Sequence, residues 1–169
     1  HLELYMKLQN FRFGDRFRLD VEVENEADWD YPMLRMMLQP IVENAIIHGL
    51  DDLEDGGRVA IRACRRDGHF CVAVADNGVG MDERTLAELT ETIRSGEAED
   101  DAPGGHSAVR VRGIGLRNVH QRIQLHYGES YGLKLESQVG RGTTVTLMLP
   151  KDPPLMRGRD QDRKEDGAA

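Results

Sequence analysis

Cysteine is scarce: the chain holds only Cys64 and Cys71. Two thiols cannot staple a disulfide scaffold, and their spacing fits no zinc motif. Basic charge is short as well. Twenty-two Lys and Arg stand against 30 Asp and Glu, a formal net charge of -8, which argues against a nucleic-acid surface. Long apolar runs are missing. None approaches the ~18–20 residues needed to span a bilayer, and no signal-peptide pattern opens the chain. The first residue is His1 rather than methionine, which points to a piece of a longer protein; any membrane segment of that parent lies outside this stretch.

What is present suffices for one domain with a real core, since the chain has 169 residues. The stretch "RVAIRACRRDGHFCVAVADNG" predicts a hairpin about Asp67-Gly68. Folding there sets Arg66 opposite His69, Arg65 opposite Phe70 and Cys64 opposite Cys71. Val59, Ile61, Ala63, Phe70, Val72 and Val74 then share the core face, and Cys64 and Cys71 share the outer one, as two reduced thiols or, in the alternative, a redox pair.

Elsewhere the pattern alternates between helix and strand. Leu4, Met6, Leu8 and Phe11 give residues 1–13 the pattern of a helix that began upstream. "FRLDVEV" alternates as a strand, and "NEADWDYP" reads as a loop. Pro32 can open a helix, and Pro40 must kink or restart it. "MLQPIVENAIIHGLDD" reads as one amphipathic helix, with Asn44 and His48 one turn apart on one face. Another helix starts near Asp82 and stops before Gly96. The polar, glycine-rich stretch from Ser95 to Val111 predicts a lid or a disordered segment. "GIGLRNVHQRIQLHYG" predicts a helix with Leu116, Val119, Ile123 and Tyr127 buried and Gly128 as its stop. Two strands joined at Gly140-Arg141-Gly142 follow, and residues 151–169 have the composition of a disordered tail. This order predicts an α/β two-layer sandwich over residues 14–150, with helices on one face of a mixed, largely antiparallel sheet.

Two glycine-rich stretches carry the chemistry. In "ADNGVGMD", Asp76 continues the inward row of Val72 and Val74. A carboxylate there needs a donor partner, and a purine exocyclic amine is one. Gly78 and Gly80 let backbone approach a flat ligand with no Cβ in the way, although Asp-Asn-Gly is equally a plain turn. In "RGIGLRNV", Gly113 and Gly115 are placed at a helix N-terminus, where free N–H groups suit phosphate. That pair lacks the third glycine of a dinucleotide fingerprint and the lysine of a P-loop.

Taken in order, these motifs resemble the Bergerat-type ATP-binding fold shared by gyrase, the Hsp90 chaperone, sensor histidine kinases and the MutL repair protein. "FRFGDRF", "LQPIVENAIIHG", "DNGVGM" and "GIGLRNVHQRI" are similar to LytS/YesM-type sensor histidine kinases, over roughly Leu8 to Pro150. The resemblance implies ATP and Mg²⁺ as ligands. It makes Asn44 the metal-holding asparagine, Asp76 the adenine-reading aspartate, and Gly78 and Gly80 the glycines beneath the base. Gly113, Gly115 and Leu116 become the hinge and helix start over the phosphates. Thr143 becomes the threonine that shares a water with Asp76 and the base. Glu43 either orders a metal-bound water or serves as a solvated or capping residue; His48 either contacts ligand or packs. Arg112 and Arg117 are candidate phosphate contacts.

Two departures stand out. Ile47 replaces a common lysine, and Pro40 stands where the ATPases of this fold carry a water-activating glutamate, so hydrolysis should be slow. The resemblance further implies a homodimeric, membrane-anchored bacterial sensor with this part in the cytoplasm. Its phosphoacceptor histidine would lie on a dimerisation segment outside the chain, and a response regulator would be its partner. An ATPase or chaperone of the same fold, and a nucleotide-free interaction module, are the alternatives.

Overall fold

The computed structural model describes residues 16–34, 36–50, 53, 56–95 and 108–153. The expected upstream helix over 1–13, the segment 96–107 and the tail from 154 lie outside them. The elements are β1 (Phe17–Val23), α1 (Gln39–Asn44), β2 (Gly57–Arg66), β3 (His69–Asp76), α2 (Glu83–Ser95), α3 (Ala108–Tyr127), β4 (Gly132–Gln138) and β5 (Gly142–Pro150). The strands form one sheet in the order β1-β2-β3-β5-β4. β1 runs parallel to β2, and every other pairing is antiparallel. This is the expected sandwich of helices on a mixed sheet. No helix among the described residues is long and apolar enough to cross a membrane.

The hairpin register is as expected, with Arg66 opposite His69 and Cys64 opposite Cys71. Because strand side chains alternate, that register sends Val59, Ile61, Phe70, Val72 and Val74 to the helical side, where all are buried. There they meet Ile41, Val42 and Ile46 near α1, Leu89 and Ile93 of α2, and Leu116, Val119 and Ile123 of α3. Each such side chain contributes roughly 1.5–3 kcal/mol by leaving water. On the opposite face both cysteines are free thiols. Cys71 lies under Met148, sulfur to sulfur at 3.7 Å. Burial first, then the neighbouring Cys64, pushes the Cys71 thiol up and keeps it protonated.

Helix ends follow their local chemistry. Asp82 caps α2 by accepting the Thr85 N–H at 2.7 Å, and that bond comes first among the causes holding its carboxyl below the usual range. Gly128 closes α3 with a φ of 105°, its N–H donating to the Gln124 carbonyl at 2.8 Å. His120 on α3 is buried; its Nδ1 accepts the Leu133 N–H at 2.9 Å, tying α3 to β4. Burial, then the charge of Arg94, lowers its pKa and keeps the ring neutral.

Three local expectations are corrected. The stretch read as a loop after β1 holds a 3₁₀ turn, Glu26–Asp30, because the Asn25 side chain accepts the Ala27 N–H and starts it. Its Asp28 is buried against Arg65 at 2.7 Å, a pairing that a buried carboxylate requires. The helix through Asn44 does not start at Pro32. It starts at Gln39 with Pro40 in its first turn, then widens into a π turn over Ala45–Leu50. Finally, α3 starts at Ala108 rather than at Gly113.

Candidate functional site

β3 delivers Asp76 on the inward row of Val72 and Val74. Its Oδ1 accepts two backbone donors, the N–H of Gly78 at 2.9 Å and that of Thr143 at 3.2 Å. The carboxylate therefore joins the loop after β3 to the start of β5. Asn77 fastens the same loop from outside: its Oδ1 accepts the Arg58 N–H at 2.7 Å and its Nδ2 donates to the Gly56 carbonyl at 3.0 Å.

The two loop glycines are required by space and backbone geometry. A Cβ on Gly78 would stand 1.9 Å from the carbonyl oxygen of Gly49, so the loop packs backbone on backbone against the π turn. The Val79 N–H completes that contact, donating to the Gly49 carbonyl at 3.0 Å. Gly80 has a φ of 66°, and a Cβ there would lie 2.0 Å from the Gln138 carbonyl.

Asn44, His48, Gly49, Asp76, Gly80, Met81 and Thr143 line one pocket. Five of the residues expected from sequence thus meet: Asn44, His48, Asp76, Gly80 and Thr143. Asn44 and His48 still share a wall although the winding between them is wider than α-helical. π turns of this kind recur at functional sites. The pocket has a volume of about 10 Å³ in this conformation, room for one water.

Other expected residues stand apart. Gly78 lies beneath the wall rather than on it. Glu43 is not in the pocket lining; its carboxylate accepts from the Gln39 Nε2 at 2.8 Å, four residues earlier on α1. Leu116 is fully buried core. Gly113 and Gly115 lie inside α3, so they do not open a helix, and their amides belong to its ladder rather than to a free anion site. The physical reason is packing and propensity together. Residues Ala108–Arg112 continue the helix, and Gly113 lets α3 press on α2, where a Cβ would come 3.0 Å from Thr92 Cγ2. Arg117 has a buried Nε with no hydrogen-bond partner among the described residues. Arg112 is helical, and its side chain lies outside the described part.

Sequence reading missed Gly49, Met81 and Ser137. Ser137 carried a signal: it continues the inward row of Leu133 and Leu135 on β4, where an apolar residue is expected. Among the described residues no three His, Cys, Asp or Glu could hold a metal ion. A cation here would take Asn44 as one ligand and draw the rest from a ligand's oxygens and water, which suits Mg²⁺.

Comparison with known proteins agrees with this geometry. Residues 29–153 match the family described as histidine kinase-, DNA gyrase B-, and HSP90-like ATPase. The chain is 34% identical over 146 residues to the sensor histidine kinase YesM of Bacillus subtilis, covering 86% of this chain and 22% of that one. It is 29% identical over 150 residues to the sensor protein kinase HptS of Staphylococcus aureus, covering 89% and 26%. The chain thus spans about a quarter of the length of these relatives. Among solved structures, the catalytic domain of the histidine kinase ThkA aligns with a TM-score of 0.59 at 15% identity over 89% of each chain. A blue-light activated histidine kinase of Erythrobacter litoralis aligns at 0.52 and 19% identity, over 88% of this chain and 40% of that one. At such identities the likeness shows the fold. Sequence, sheet order and the glycine-framed Asp76 converge on one conclusion: the chain belongs to the histidine kinase-, DNA gyrase B-, and HSP90-like ATPase family.

Proposed function

We propose that this chain is the ATP-binding catalytic domain of a sensor histidine kinase. It moves the γ-phosphoryl group of ATP to a histidine on a dimerisation segment outside the chain: the bond from the γ-phosphorus to the ADP oxygen breaks, and a phosphorus–nitrogen bond forms. The parent is a homodimeric, membrane-anchored bacterial sensor with this domain in the cytoplasm, and a response regulator receives the phosphoryl group. The observation that carries the reading is Asp76. Its carboxylate stands in a pocket wall beside Thr143 with Gly80 next to it, an acceptor pair suited to the amine of adenine.

Asn44, in the lining of the same pocket, would hold Mg²⁺ against the phosphates. Bound there, the cation supplies charge neutralisation during transfer. Pro40 leaves the start of α1 without a carboxylate to activate water, which favours transfer over hydrolysis. A neutral imidazole needs no base to attack, so positioning and charge neutralisation carry the reaction.

Calorimetry tests the assignment. ATP and ADP bind with modest affinity, and GTP binds roughly ten- to a hundredfold more weakly. Guanine presents a carbonyl where adenine presents an amine, and a buried mismatch costs roughly 1–3 kcal/mol. Equal affinity for GTP overturns the adenine reading.

The phosphate part of this proposal requires the first turn of α3 to unwind toward Gly113–Leu116, which frees backbone N–H groups for phosphate oxygens. Gly115→Ala opposes that step. A Cβ there has room, its nearest neighbour being Pro40 Cβ at 3.7 Å, and Ala favours helix over Gly by about 1 kcal/mol. The variant melts a few degrees higher and binds ATP several-fold more weakly, while adenosine, which lacks phosphates, binds as before. Unchanged ATP affinity in a variant with raised Tm refutes the unwinding step.

A further inference from the structure

Ser137 lies on the helical side of β4 and touches three partners. Its Oγ accepts the Met81 N–H at 2.9 Å, reaches the Gly142 carbonyl at 3.0 Å, and lies 2.9 Å from Thr143 Oγ1. A hydroxyl has one proton to give and two lone pairs. The Gly142 carbonyl can only accept, and the Met81 N–H can only donate. One proton arrangement therefore satisfies all three contacts. Ser137 donates to Gly142 and accepts from Met81, and its remaining lone pair accepts from Thr143.

That arrangement has a consequence for the pocket. The single hydroxyl proton of Thr143 points back at Ser137, so Thr143 Oγ1 has only lone pairs left for a ligand. Asp76 beside it, as a carboxylate, is likewise an acceptor, and the two residues are already joined through the Thr143 N–H. The Asp76 and Thr143 side chains thus present acceptors alone. Free to rotate, Thr143 would instead adapt, donating to a carbonyl as readily as it accepts from an amine.

We infer that Ser137 is a positioning residue that fixes the hydroxyl polarity of Thr143 and so makes this pocket select a purine bearing an amine over one bearing a carbonyl. The inference rests on the adenine reading of Asp76 and adds a second determinant to it. Ser137 touches no ligand in this role; it acts through Thr143. Its other bonds hold the loop at Met81 to the turn between β4 and β5, so a structural role alone would change the affinity for every nucleotide alike. Only the polarity role changes the ratio between bases.

The experiment compares ADP with inosine diphosphate, which differs at the purine 6-position by a carbonyl in place of the amine and by the proton on the adjacent ring nitrogen. Calorimetry measures both on the natural chain and on Ser137→Ala, Ser137→Thr, Thr143→Val and the Ser137→Ala/Thr143→Val pair. In the natural chain ADP is strongly preferred. In Ser137→Ala the freed Thr143 hydroxyl donates to the carbonyl, and the preference shrinks about tenfold, mostly by tighter inosine diphosphate binding. Ser137→Thr keeps the hydroxyl and restores the preference. With Thr143→Val in place, Ser137→Ala no longer alters the ratio, because there is no hydroxyl left to turn.

A Ser137→Ala protein that binds both nucleotides more weakly with the ratio unchanged overturns the inference and leaves the adenine reading standing. A natural chain that binds ADP and inosine diphosphate equally overturns both. If Ser137→Ala does not fold, Ser137→Cys, whose thiol is a weak donor and acceptor, is read by the same ratio.

Discussion

Asn44→Ala lowers phosphoryl transfer by about a hundredfold or more while leaving the protein folded. The test supplies the chain with a dimerisation segment bearing the acceptor histidine and follows label from γ-labelled ATP. Asn44 is the last residue of α1 and lines the same pocket as Asp76. It is half-buried, so truncation at this edge costs the fold little, whereas the neighbouring Val42 is wholly buried. Its amide oxygen is suited to hold the cation that neutralises charge on the transferring group. Removing one such electrostatic contact typically costs 10²–10³ in rate. The readout separates this role from base binding: adenosine affinity stays constant, and the gain in ATP affinity on adding Mg²⁺ disappears. Full transfer by Asn44→Ala would sink the assignment. So would acid-labile phosphate on the natural chain supplied without the added segment, because it would place the acceptor inside this chain.

The hairpin and the inward phase of Asp76 were legible because two-residue periodicity and a Gly-containing two-residue turn leave one register that buries Val59, Ile61, Val72 and Val74 together. The stripe of α3 was legible for the same reason at helical period. Helix limits were harder. Pro40 reads as a kink or a restart, and the helix starts beside it, but nothing in "NAIIHGL" signals π winding. That winding accompanies the contact of Gly49 with the loop after β3, a tertiary event. The start of α3 was misplaced because glycine reads locally as a helix boundary, whereas Gly113 serves the approach of α3 to α2. The same effect left the expected phosphate residues inside a helix.

Asn44, His48, Asp76 and Thr143, singled out by type and direction, line one pocket. Groups that act through proximity leave less trace in the spacing. Glu43 follows the motif, yet Gln39 one turn earlier takes its carboxylate. Ser137 belongs to no motif, and its importance comes from three atoms brought together by the β4–β5 turn and the loop after β3. Sequence spacing names the groups that face a ligand more readily than the groups that orient them.

Gly78→Ala destabilises the protein by roughly 3–5 kcal/mol or more, a large share of the 5–15 kcal/mol that holds a typical domain folded. The cause is contact rather than backbone conformation. Gly78 is absent from the positive-φ positions, but its added Cβ would stand 1.9 Å from the Gly49 carbonyl oxygen and 2.3 Å from its carbon. Both atoms are backbone, so no side chain can swing aside. Relief means parting the loop from the π turn, which breaks the bond from the Val79 N–H to Gly49 and shifts the Gly78 N–H that Asp76 holds. Adenine nucleotides therefore lose affinity in step with stability. Gly68→Ala is the matched control. Gly68 has a φ of 79° with open space around its would-be Cβ, so Ala there bears only the left-handed backbone cost of about 1–2 kcal/mol. Urea unfolding of the two variants separates the effects. The packing account predicts that Gly78→Ala is the more destabilised by at least about 2 kcal/mol and that Gly68→Ala, on the far hairpin turn, binds ADP normally. If Gly68→Ala proved the weaker protein, the close approach of the loop to the π turn would not be what frames Asp76.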